Sequence, residues 1–304
     1  MTRSSLPGIL SVLVAAVLWG TTGTAATFAP GVGPLAMGAA ALGIGGILQG
    51  LIAVPSLIRN RALLAPRRWV IVAGAAAVAI YPLAFYSSMH LAGVAIGTVV
   101  SLGSAPIASG LLEVLLEKRR PSAWWFLAAV LGIVGSVVLC VAKLHEAPTD
   151  LLHTIAGVGL GLIAGATYAV LSWCAHRLMG AGVGRLAAMG AIFGLGGLAL
   201  MPVLVLTGAP LLETTQALTV GAYMALIPMF VGYLFFGFGL SHVAPSTATT
   251  LTLAEPAVAV VIVGERLPLI GWAGLTGIGV SLLVLAVAPA TRGTATSVSV
   301  RTRL

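Results

Sequence analysis

The 304-residue chain is 59% hydrophobic and 7% charged, with a mean hydropathy of +1.12, values that exclude an ordinary soluble globule. Its net charge of +8 comes from 15 Lys and Arg against 7 Asp and Glu. These residues gather in short clusters between apolar runs of about 18 residues or more, the pattern of successive membrane spans. The runs lack period-2 alternation and backbone groups in lipid must be satisfied within each segment, so an all-α integral membrane protein is predicted, not a barrel.

The first predicted span, 6–28, is too long for a signal-peptide core and continues into a second at 33–57, so it is read as a retained helix. It carries Trp19 with Thr21, Thr22 and Thr24, and the second carries a glycine run from Gly43 to Gly50. The third, 68–89, holds Tyr81, Pro82, Phe85 and Tyr86; a short turn with His90 leads to the fourth, 93–117, with Ser101, Ser104, Pro106 and Glu113. Glu113 lies one turn from Glu117 and is expected to snorkel towards Lys118 and Arg119. The fifth, 122–142, opens on Trp124 and Trp125, an interfacial position shared by Trp69 and Trp272 at other span starts.

The sixth span, 153–178, contains Tyr168 and Trp173, and the seventh, 185–207, contains Gly194 to Gly197 and Pro202. The eighth, 217–240, has Pro228, Tyr233, Phe235 and Phe236, and a turn with His242 leads to the ninth, 243–264, with Thr249, Thr250, Thr252, Glu255 and Pro256. A tenth at 270–288 completes the set. Each intramembrane proline removes a backbone hydrogen bond and can kink its helix. Glu255, deep in the ninth span, is an expensive carboxylate and therefore a functional candidate. It is expected to bind a proton, a substrate ammonium or both in competition, or else to stay protonated and donate to a carbonyl freed by Pro256. His90 and His242 are gate or relay candidates, with solvated or capping roles as the alternative. His145, His153 and His176 lie in loops or at span ends, and no spacing suggests a metal site.

With both termini in the cytoplasm, thirteen of the fifteen basic residues fall on cytoplasmic segments and only Lys143 and Arg266 lie outside. That sorting explains the net charge by topology and leaves no basic face for a nucleic acid. Cys140 and Cys174 are expected near opposite membrane faces, too far apart for a disulfide, and hence as free thiols. No phosphate-binding loop of the GxxxxGK[ST] kind occurs, and no cofactor is expected.

Shifting the chain by about 150 residues places Gly8–Trp19 on Gly157–Tyr168, Phe85 and Tyr86 on Phe235 and Phe236, Pro106 on Pro256 and, after a small gap, Glu117 on Glu265. The chain is therefore divided into a first five-helix repeat at 1–146, a second at 147–290 and a cytoplasmic tail at 291–304. Because five is odd the second repeat is inverted, an organisation common in secondary transporters, whose sites lie at the repeat interface.

Ala16 to Gly20, Pro106 with Glu117 to Pro121, and Glu255-Pro256 with Gly264 to Arg266, in this order within a duplicated frame, resemble the EamA-type transporters of the drug/metabolite transporter superfamily, and among them most resemble the YddG-type amino-acid exporters. The resemblance implies a multi-pass protein of the bacterial inner membrane, with a central cavity lined by the first, third, fourth, sixth, eighth and ninth helices. On those helices Trp19, Thr22, Tyr81, Phe85, Tyr86, Ser101, Tyr168, Trp173, Tyr233 and Glu255 are the candidate substrate contacts, and Pro106, Pro256, His90 and His242 the candidate gates. The lack of a midmembrane Lys or Arg argues against phosphorylated substrates. The expected cargo is an amino acid or related metabolite, with proton-coupled export of lipophilic cations as the alternative. No nucleophile–base or metal constellation at membrane depth suggests an enzyme, and a monomer is expected.

Overall fold

In the computed structural model the described residues are 6–142, 151–263 and 268–287, and among them there are helices and no strands. The helices are α1 (Leu6–Thr27), α2 (Pro34–Arg59), α3 (Arg61–Ala92), α4 (Val94–Glu117), α5 (Ala123–Val141), α6 (Leu151–Gly180), α7 (Arg185–Thr207), α8 (Thr215–Leu240), α9 (residues 245–263) and α10 (Leu269–Val287). Eight of these, all but α5 and α9, are long and apolar enough to cross a membrane, and α5 is a shorter apolar helix. The side chain of Cys140, and Lys143, His145, Gly264, Glu265, Arg266 and the 291–304 tail, lie outside the described residues.

Several helices are interrupted where their sequence removes or diverts a backbone hydrogen bond. α1 breaks at Thr21, whose hydroxyl donates to the Leu18 carbonyl at 2.6 Å. α8 widens into a π-helical turn at Ala225–Val231 around Pro228. α9 is an α-helix over Pro245–Leu251, a 3-10 turn over Thr252–Ala254 and a second α-helix over Glu255–Val263. Pro256 has no N–H to give the Thr252 carbonyl, and the Glu255 N–H bonds that carbonyl instead. Pro106, its expected counterpart, lies inside an uninterrupted α4.

α3 packs on α6, α1 on α8, α2 on α7 and α5 on α10, while α4 crosses α6 and the first segment of α9. Glycine lets these backbones meet: a Cβ on Gly135 would come within 2.8 Å of the Gly274 carbonyl in α10. Leucines such as Leu51, Leu111 and Leu283 point outward, as lipid-facing positions do, and the centre is filled by buried aromatics. All nine Lys and Arg among the described residues occupy 59–68, 118–120 and 177–185. These segments meet at one end of the bundle, where Gly184 N–H donates to Asn60 Oδ1 and Arg67, Arg119 and Arg177 line one pocket.

Candidate functional site

Trp19 organises the centre. Its indole N–H donates to the Pro228 carbonyl at 2.8 Å, so α1 is pinned to the π-helical turn of α8. Gly232 makes room for the indole, since a Cβ there would stand 2.8 Å from Trp19 Nε1. Around it the rings of Tyr233 (4.7 Å between centroids), Phe236 (5.2 Å) and Tyr168 (6.1 Å) close a shell. Tyr168 stacks on Tyr81 at 5.4 Å, Tyr81 stacks on Phe85 at 5.7 Å, and Tyr86 meets Phe85 edge-on at 5.4 Å. Offset and edge-on contacts of this kind add to the dispersion of packing.

Against this shell lies a closed cavity of about 10 Å³, lined by Trp19, Thr22, Ala41, Leu42, Tyr81, Pro82, Phe85, Tyr86, Met229, Tyr233 and Glu255. That volume holds about one water molecule. Glu255 stands on the first turn of the second α9 segment, where a helix end tolerates a carboxylate best, and among the described residues it is in no ion pair. Tyr86 and Tyr168 keep buried hydroxyls without a protein hydrogen-bond partner, polar atoms that a water or a solute would satisfy.

Both ends of the bundle are tied above and below this centre. At the basic end Glu113, buried in α4, accepts the Ser246 N–H at 2.8 Å, and His176 Nδ1–H donates to the Leu240 carbonyl at 2.7 Å. The expectation that Glu113 snorkels to Lys118 and Arg119 is thereby corrected: the first turn of α9 offers a free N–H beside it, and a buried carboxylate takes the nearest donor. At the opposite end Thr21 has already given its proton to Leu18, so the Tyr223 hydroxyl donates to Thr21 Oγ1 at 2.7 Å. Ser88 Oγ–H donates to the Gly157 carbonyl at 2.7 Å.

Of the candidate contacts, Trp19, Thr22, Tyr81, Phe85, Tyr86, Tyr233 and Glu255 share the cavity, and Tyr168 joins them through its ring. Ser101 is buried where α4 meets Gly165 of α6, outside the cavity lining. Trp173 lies outside the ring cluster, with the Arg177 guanidinium 5.8 Å from its ring. His90 and His242 are exposed, and His242 stacks on Phe238 at 4.5 Å. Phe235, one residue from Phe236, turns outward. Cys174 is a buried free thiol.

Three contributors carry little sequence signal. Phe193 of α7 packs on Tyr233 at 4.4 Å, and Met229 lines the cavity. Gln49 is buried in α2 with its Nε2 3.5 Å from the Met229 carbonyl, and as the lone amide in an apolar run it was the most readable of the three.

The profile of the EamA-like transporter family matches residues 6–141 and again residues 155–287. An uncharacterized transporter of Bacillus subtilis (strain 168), YwfM, is 34% identical over 295 residues, covering 94% of this chain and 96% of its own. A solved crystal structure superposes with a TM-score of 0.73 at 19% identity over 91% of this chain and 95% of the other, a likeness of fold alone.

Proposed function

Because the chain belongs to the EamA-like transporter family, a family of multi-pass membrane transporters, we propose that it exports amino acids, aromatic or neutral, across the bacterial cytoplasmic membrane by alternating access. The observation that carries this reading is Glu255 at the break of α9, facing a closed cavity walled by Trp19, Tyr81, Phe85, Tyr86 and Tyr233. A carboxylate takes a substrate ammonium, the rings take an apolar side chain, and the free Tyr86 hydroxyl offers a donor to a substrate carboxylate. One water's volume cannot hold an amino acid, so transport requires the helices around this cavity to part, one end at a time. Pro256 beside the α9 break and the π-helical turn at Pro228 are the places where the helices can flex.

The frame we propose is ten spans in two inverted repeats, 1–146 and 147–290, with both termini cytoplasmic. It is supported by the twofold family match, by pairings that exchange under the repeat (α1 with α8, α6 with α3) or map onto themselves (α2 with α7, α5 with α10), and by the gathering of arginines at one end. No pairing requires a second copy of the chain, and a monomer suffices.

A labelled amino-acid panel offered to proteoliposomes, with and without a pH gradient, tests the substrate. Saturable uptake without the gradient supports the amino-acid reading. A second reading, proton-coupled export of lipophilic cations, draws on the same unpaired carboxylate among ring faces, which suits cation–π binding. Amino-acid flux absent from the panel, together with pH-driven movement of an organic cation, decides for that alternative.

A further inference from the structure

At the basic end, away from the central cavity, the ends of α3, α4 and α6 leave a pocket of about 600 Å³. Three arginines line it, Arg67 of α3, Arg119 just past the end of α4 and Arg177 of α6. Glu117 and His176 also line it, and one carboxylate against three guanidiniums leaves the lining net positive. Among the described residues none of these arginines is in an ion pair, and Arg67 spends one N–H on the Leu63 carbonyl at 2.7 Å. Three arginines against one glutamate around a single concavity give it a positive field that favours an anion. Arginine presents a planar fork of donors that matches the oxygens of a phosphate.

The position narrows the source of that phosphate. Trp69, also on the lining, is largely exposed, with Arg68 5.8 Å from its ring, the placement of a tryptophan at the headgroup level of a bilayer. Basic pockets between membrane helices on the cytoplasmic side receive anionic headgroups. We propose that this pocket is a binding site for a phosphate group, supplied by the headgroup of an anionic phospholipid of the surrounding leaflet. A lipid held there bridges α3, α4 and α6 at the end where the Glu113–Ser246 contact ties α4 to α9, and so stabilises the form closed at that end.

The test uses the full chain in nanodiscs. Its melting temperature is read in phosphatidylcholine, in phosphatidylcholine with phosphatidylglycerol, and in phosphatidylcholine with inorganic phosphate. Wild type is compared with Arg119→Gln and Arg177→Gln, both at exposed positions, and with Arg61→Gln, a charge lost at the same end but outside the pocket. The expected result is a higher melting temperature with phosphatidylglycerol that shrinks in the two pocket variants and persists in Arg61→Gln, with apparent lipid affinity about fivefold lower per arginine removed. Stabilisation by inorganic phosphate alone, lost in the same variants, keeps the phosphate site and assigns it to a soluble ligand. No stabilisation by either, or equal loss in Arg61→Gln, overturns the site.

Discussion

Trp19 gives its indole proton to the Pro228 carbonyl, inside the π-helical turn of α8. Trp19→Phe keeps most of the ring surface and removes the side-chain donor to the Pro228 carbonyl. The expected cost is about 0.5–1.5 kcal/mol, read as a lower midpoint in thermal unfolding, with weakened transport because α1 and α8 lose their common register. Glu255→Gln keeps shape and loses charge. If the carboxylate meets a substrate ammonium, the apparent affinity for amino acids falls at least tenfold while the protein melts near the wild-type temperature; unchanged affinity contradicts that role.

At the scale of helices, the contact from Glu113 to Ser246 joins α4 to the start of α9 across 133 residues of sequence. Glu113→Ala leaves the Ser246 N–H without its acceptor, so amide hydrogen exchange over the first segment of α9 should quicken, while Glu113→Gln, which keeps an acceptor oxygen, should change it less. Equal exchange in all three proteins would show that the contact does not hold the first segment of α9 in place. The α5–α10 pair depends instead on close backbone approach. Gly135→Val would drive methyls into the Gly274 carbonyl, and a destabilisation of about 1–3 kcal/mol or more is expected in thermal melts.

At the scale of the whole molecule, helix positions are legible because each is an apolar run bounded by charges or turns, and the sorting of basic residues assigns Arg59, Arg119 and Arg177 to one end from sequence alone. The aromatic centre was legible in large part, since Trp19, Tyr81 and Tyr168 are bulky amphipathic groups deep in runs of small residues. What could not be read was direction. In a bundle surrounded by lipid, the inner and outer faces of a helix are both apolar, so periodicity did not separate inward Phe236 from outward Phe235 or mark Phe193 as a neighbour of Tyr233. The partner of Glu113 is hidden for a related reason: nearby charges are visible in sequence, whereas the N–H of Ser246 comes within reach only where α4 and α9 meet. The broken α9 is half legible, because Pro256 marks the place, but Pro106, its expected counterpart, lies in an unbroken helix.

We propose that the small chamber at Glu255 is the route of transport. The most direct test is counterflow of a labelled aromatic amino acid into preloaded proteoliposomes, comparing wild type with Tyr86→Leu and Glu255→Gln, two walls of that chamber. Counterflow in wild type that is lost in both variants, with folding intact by thermal melt, is the predicted result. Wild-type counterflow that persists unchanged in both variants would place the route elsewhere in the bundle and contradict the account.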